Sequence, residues 1–105
     1  MARLKIKIPQ QQIADFCLRY RVHQMSLFGS VLREDFGADS DIDVLVSFAP
    51  DARWSLFDLV KMENELQAIL GREVDLVERS AVEQSENYIR RKSILQNQEV
   101  IYAAG

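Results

Sequence analysis

The 105-residue sequence predicts a small α/β (α+β) domain, a mixed sheet covered by helices in the order α-β-α-β-α-β-α. Three observations carry that prediction. Short apolar runs of strand type recur at residues 24–28, 41–48 and 73–77. Stretches with apolar residues at helical spacing lie before, between and after them. Capping signals and glycines mark the boundaries. A chain that is 48% hydrophobic can bury one core, and this length is enough for one domain, 1–105.

The first helix runs from Pro9, suited to a first turn, to about Tyr20, with Ile13, Phe16, Cys17 and Tyr20 on one face. A strand from Gln24 to Phe28 ends at Gly29, and a brief helix follows from Ser30. Residues Asp35 to Ser40 are rich in turn formers. The strand Asp41 to Phe48 is apolar on both faces after its first residues, the mark of an interior strand.

Ala49 to Arg53 reads as a loop. Ser55 with Asp58 three residues on starts a helix carrying Leu56, Leu59, Val60, Leu66 and Leu70, and Gly71 suits its C-terminal cap. The strand Glu73 to Val77 comes next. Ser80 and Glu83 have capping-box spacing and open a last helix that runs to about Gln96, with EVIY as a short closing extension.

Bulk properties exclude several functions. With 13 basic and 16 acidic residues the net charge is −3, which argues against broad nucleic-acid binding. A single cysteine, Cys17, forms no internal disulfide and falls in an apolar stripe, so a reducing, cytoplasmic setting is expected. No apolar run approaches the roughly 20 residues that cross a bilayer. The basic start MARLKIKIPQ lacks the apolar middle of a signal peptide.

The segment LFGSVLREDFGADSDIDVLVSF, residues 27–48, carries the chemistry. Side chains two apart on a strand point the same way, so Asp41 and Asp43 project together while Ile42 and Val44 anchor the strand from the other side. Two such carboxylates repel by roughly 1 to 4 kcal/mol, depending on the local dielectric. Asp75, inside EVDLV, is another acid among apolar residues, and pairing of its strand with the second would make three carboxylates converge. Protein cations could neutralise them, but Mg²⁺ is the better match, being hard and apt to share carboxylates with phosphates. Gly29 allows close backbone approach, and Ser30 can cap the following helix, whose free N–H groups suit a phosphate. Together these features describe a nucleotide triphosphate site.

Each residue has a plainer reading. Asp41 and Asp43 also suit a solvated strand entrance or an Asx turn. Asp75 suits a strand-end acid, Gly29 a simple turn and Ser30 a simple cap. Arg33 could face a triphosphate or solvent. The run Arg90-Arg91-Lys92 reads as a solvated helix face, against a partner or nucleotide contact. His23, without metal-ligand spacing nearby, is structural. Trp54 could pack inside or anchor an interface.

Gly29-Ser30, ten residues, then Asp41-Ile42-Asp43 resembles the signature of the nucleotidyltransferase superfamily typified by DNA polymerase β. That combination would arise by chance in about one such chain in a thousand. Asp75 matches the superfamily's third carboxylate. GSxxR at Gly29 to Arg33, GREVDLV, and the IRRKSIL…EVIY ending are similar to the minimal nucleotidyltransferases, the MNT antitoxins of HEPN–MNT toxin–antitoxin pairs. Tyr88 stands after Asn87 where a proline would be expected.

The resemblance implies transfer of AMP from ATP to a tyrosine hydroxyl of a HEPN ribonuclease toxin, which would neutralise it within a hetero-oligomer. It implies Asp41, Asp43 and Asp75 as catalytic metal ligands for two Mg²⁺ ions, with Gly29, Ser30 and Arg33 on the nucleotide. The alternative is an antitoxin that only sequesters the toxin. A small-molecule nucleotidyltransferase is disfavoured because the motifs fill the chain and leave no second domain for an acceptor.

Overall fold

The computed structural model describes residues 7–29 and 41–104. They form α1 (Gln10–Arg19), β1 (Val22–Phe28), β2 (Ile42–Phe48), α2 (Leu56–Leu70), β3 (Val74–Glu78), α3 (Arg79–Glu83), α4 (Tyr88–Gln96) and β4 (Gln98–Ala103). The brief helix expected from Ser30 and the turn-rich stretch Asp35 to Ser40 fall mostly or wholly outside the described residues.

The strands make one sheet of order β3-β2-β1-β4. β1 is antiparallel to both β2 and β4, whereas β2 and β3 are parallel, joined through α2 as a parallel pair requires. β2 is interior, as its two-sided apolar pattern predicts.

Alternation along β2 divides the core in two. Ile42, Val44 and Val46 face α1 and α2, and pack with Ile13, Phe16, Cys17, Met62 and Leu66. Leu45 faces the other way and packs with Phe28, Val82 and Ile94, the last two from α3 and α4. The four apolar positions predicted for the face of α1 are all buried. Burial pushes the Cys17 thiol up to about 12, so it is a core residue with little thiolate at neutral pH.

α2 begins as its sequence predicts. Ser55 Oγ accepts from the Asp58 backbone N–H at 3.2 Å and the Ser55 N–H donates to the Asp58 carboxylate at 2.9 Å. Gly71 ends the helix at φ 69°. Its buried side is made by Met62 and Leu66, however, and Leu56 and Val60 lie on the exposed side with Phe57.

Two expectations are corrected near the C-terminus. The single helix opened by a Ser80–Glu83 box is two helices. α3 has Glu78 at its N-cap with no side-chain cap, and Glu83 pairs instead with Arg79 at 3.3 Å. α4 starts anew where Asn87 Oδ1 accepts from the Arg90 N–H at 3.0 Å. EVIY is also more than an extension. It lies within β4, a full strand paired along β1.

β3 is an edge strand, and α2 closes that edge. The Val74 N–H donates to Gln67 Oε1 at 3.2 Å and the Leu76 N–H to Glu63 Oε2 at 3.0 Å. These bonds fix the strand that carries Asp75 against β2.

A second clasp holds α1 to α2. Tyr20 Oη donates to Glu65 Oε1 at 2.6 Å, and Arg19 pairs with Glu65 Oε2 at 2.9 Å. The bonds from Arg19 and then Tyr20 hold the Glu65 carboxyl below its ordinary value of 4.5. A lowered folded value means the clasp stabilises the fold fully above pH 4.5 and is lost as pH falls through the folded value. Tyr20→Phe is therefore expected to cost about 1.5 kcal/mol at neutral pH. The difference from the parent should shrink in acid, as measured by urea unfolding across pH 3 to 7.

Candidate active site

The site is built from one end of the central strands. Phe28 pairs with Asp43 across β1 and β2, and Asp43 pairs with Asp75 across β2 and β3. Partners in register share a face of the sheet, so Asp43 and Asp75 stand side by side on the face that α3 and α4 cover further along. Asp41 immediately precedes β2. Asp43 is half-buried, and Asp41 and Asp75 are exposed.

Gly29 follows β1 at φ 75°, and a Cβ built there would overlap the Asp43 carboxylate. Only glycine permits both the left-handed backbone and this approach. The turn after β1 and the carboxylate of β2 are thus in direct contact. Ser30 and Arg33 lie outside the described residues.

The structure therefore brings together Gly29, Asp43 and Asp75 through strand pairing. It does not gather three carboxylates tightly. Among the described residues, no three His, Cys, Asp or Glu side chains form a ready metal-binding group.

Gly29 and Asp43 open onto a cleft of about 1130 Å³. Its other wall is α4 and the start of β4, including Asn87, Arg90, Ser93 and Gln98. Ligand pockets commonly span about 300 to 1,000 Å³, so there is room for a nucleotide and part of an acceptor. At this wall Gln98 Oε1 is buried without a hydrogen-bond partner, while its Nε2 donates to the Leu95 carbonyl at 3.0 Å. On the α4 wall, Asn87, Ser93 and Gln98 are candidate residues that motif reading missed, and Arg90 is the member of the basic run that reaches the cleft. The wall's signal is the helical stripe Asn87, Arg90, Ile94 and Asn97, which is legible only once α4 is known to begin at Tyr88.

Residues His23 and Trp54 lie apart from these walls. His23 is an exposed residue of β1. Trp54 packs edge-on to Tyr20 at 5.6 Å and against Phe48 at 6.3 Å, a packing role rather than an interface anchor. Among the described residues, no helix is long and apolar enough to cross a membrane.

A family model for the nucleotidyltransferase domain matches residues 10–97. The chain belongs to the nucleotidyltransferase domain family. Two relatives of this nucleotidyltransferase illustrate the likeness. One, from Methanocaldococcus jannaschii and provisionally named a protein adenylyltransferase, is 40% identical over 68 residues, covering 65% of this chain and 71% of the relative. The other, protein adenylyltransferase MntA of Thermococcus cleftensis, is 39% identical over 64 residues, covering 61% of this chain and 63% of the relative.

Solved structures share the nucleotidyltransferase fold. A toxin–antitoxin crystal structure with AMP-PNP superposes with a TM-score of 0.69 at 17% identity, covering 92% of this chain and 75% of that one. A tri-AMPylated Shewanella oneidensis HEPN toxin in complex with MNT antitoxin gives 0.61 at 18% identity, covering 90% and 70%. The small mixed sheet with helices on both faces is the architecture that the sequence predicts.

Proposed function

We propose that the protein is an antitoxin that transfers AMP from ATP to a tyrosine hydroxyl of a HEPN ribonuclease toxin and thereby neutralises it. The observation that carries this reading is Asp43, which pairs in register with Asp75, abuts Gly29 and lines a cleft with room for a nucleotide. Family membership supplies the reaction class, nucleotidyl transfer. The relatives named protein adenylyltransferase and the AMPylated HEPN toxin complex support the acceptor class. The AMP-PNP complex supports ATP as the donor.

The residues fit a divalent cation. All donors are carboxylate oxygens, and the missing Cβ of Gly29 leaves the Asp43 carboxylate against open backbone. Mg²⁺ commonly takes one or two carboxylates and completes its shell with substrate phosphates, so a tight group of three is not required in the protein alone. Asp41, Asp43 and Asp75 would hold it, and two ions would suit the three carboxylates. Bound there, Mg²⁺ would neutralise phosphate charge and lower the pKa of the acceptor hydroxyl.

The chain's own groups do the rest. The Gly29 backbone and Ser30 hold the phosphates close to Asp43, with Arg33 a further candidate. Asp75, on the exposed side of the pair, takes the proton of the acceptor hydroxyl. The tyrosine oxygen attacks the α-phosphorus in line, the bond to the β-phosphate breaks, and pyrophosphate leaves. Positioning and charge stabilisation account for the acceleration.

The test is incubation with α-labelled ATP, Mg²⁺ and a HEPN partner. Label on a partner tyrosine, found by mass spectrometry, is the expected result. Absence of label with every nucleotide would leave the sequestering antitoxin as the better account.

A further inference from the structure

We propose that Arg90, on the α4 wall of the cleft, binds the β- and γ-phosphates of the nucleotide and the pyrophosphate that leaves. This deepens the proposed function and rests on it. Arg90 lines the same cleft as Gly29 and Asp43, and among the described residues it is the only basic residue on its walls.

The three adjacent cations, Arg90, Arg91 and Lys92, have different surroundings. Arg91 Nη1 donates to the Ser85 carbonyl at 2.8 Å, and its guanidinium lies 5.5 Å from the centre of the Tyr88 ring. Lys92 Nζ lies 5.9 Å from the same ring. Tyr88 thus engages Arg91 and Lys92, a role open to an aromatic residue at this position and closed to a proline. Arg90 is exposed, and its guanidinium has no ion pair among the described residues.

Several of the other polar groups on the wall are already engaged, and none of the others there carries a positive charge. Asn87 Oδ1 caps α4, Asn97 Nδ2 donates to the Ser93 carbonyl at 2.8 Å, and Gln98 Nε2 donates to Leu95. The orphaned Gln98 Oε1 is an acceptor and does not suit an anion. The Arg90 guanidinium is the donor group matched to a polyphosphate, with the Ser93 hydroxyl one turn along. Asp43 and Glu99 share the same cleft, so an incoming triphosphate meets carboxylate repulsion that Arg90 offsets. With the α-phosphorus at Asp43 and Asp75, the phosphate tail extends between the Gly29 turn and Arg90.

Calorimetric titration of the parent chain, Arg90→Ala, Arg90→Lys and Arg91→Ala with ATP and with AMP, in Mg²⁺ and without acceptor, tests this. Arg90→Ala should weaken ATP by about tenfold or more and leave AMP within about twofold, while Arg90→Lys retains part of the ATP affinity. Arg91→Ala should bind ATP as the parent does. Thermal unfolding checks that each variant is folded. Unchanged ATP affinity in Arg90→Ala, or equal losses for ATP and AMP, overturns the assignment. A parent chain that transfers AMP while Arg90→Ala keeps its ATP affinity overturns only this inference. A parent chain that binds no ATP overturns the proposed function with it.

Discussion

Asp43→Asn should reduce AMP transfer by about a thousandfold or more while leaving the melting temperature within about 2 °C. Asp43 is the position where three features meet. It pairs with Phe28 on one side and with Asp75 on the other, and it abuts Gly29. Asparagine keeps the shape but removes the negative charge and one anionic oxygen, so cation binding suffers far more than packing. The strand itself is held by Ile42, Val44 and Val46 on the opposite face, which the substitution does not touch. Transfer of an α-phosphate label to the partner and a thermal melt measure the two halves of this expectation. If Asp43→Asn neutralises the toxin as well as the parent at limiting dose, catalysis is dispensable and sequestration is the mechanism.

Gly29→Ala is expected to act on the same carboxylate from the neighbouring strand. The backbone there, at φ 75°, costs an L residue about 1 kcal/mol, and the new methyl overlaps Asp43. The total loss should be about 2 to 3 kcal/mol, with transfer down at least about a hundredfold because the carboxylate is displaced. A double-mutant cycle separates the causes. In an Asp43→Ala background, no atom of the described residues comes nearer than the residue-43 Cβ at 3.5 Å, an ordinary contact. Gly29→Ala should then cost only the backbone strain. Equal costs in both backgrounds, read by urea unfolding, would show that Gly29 is needed for its conformation alone.

Much of this was legible in the sequence because period-2 alternation is unambiguous where one face is buried. Asp43 against Ile42 and Val44 is the clearest case, and the interior position of β2 followed from the same run. Strand neighbours cannot be read from alternation, and the pairing of Asp43 with Asp75 is a property of the parallel β2–β3 join. The last helix was misread because Ser80 and Glu83 have capping spacing, yet the Arg79–Glu83 pair and the Asn87 cap put the boundaries elsewhere. α2 shows another limit. Leu56 and Val60 fit an apolar helical stripe as well as Leu59 and Leu66 do, and only packing against the sheet decides which are covered. Arg90 was hidden for a related reason, since three consecutive cations look equivalent until helix phase and Tyr88 distinguish them.

The bonds from Glu63 and Gln67 to the outer side of β3 have a consequence for how an acceptor reaches the site. Docking of a polypeptide on that side by lengthening the sheet is disfavoured, because two of the main-chain donors it would use, those of Val74 and Leu76, are already taken. In the proposed reaction, recognition of the acceptor beside Asp75 is thus biased away from backbone reading and towards a single side chain lowered into the opening. A folded protein offering one protruding residue meets that demand better than an extended peptide.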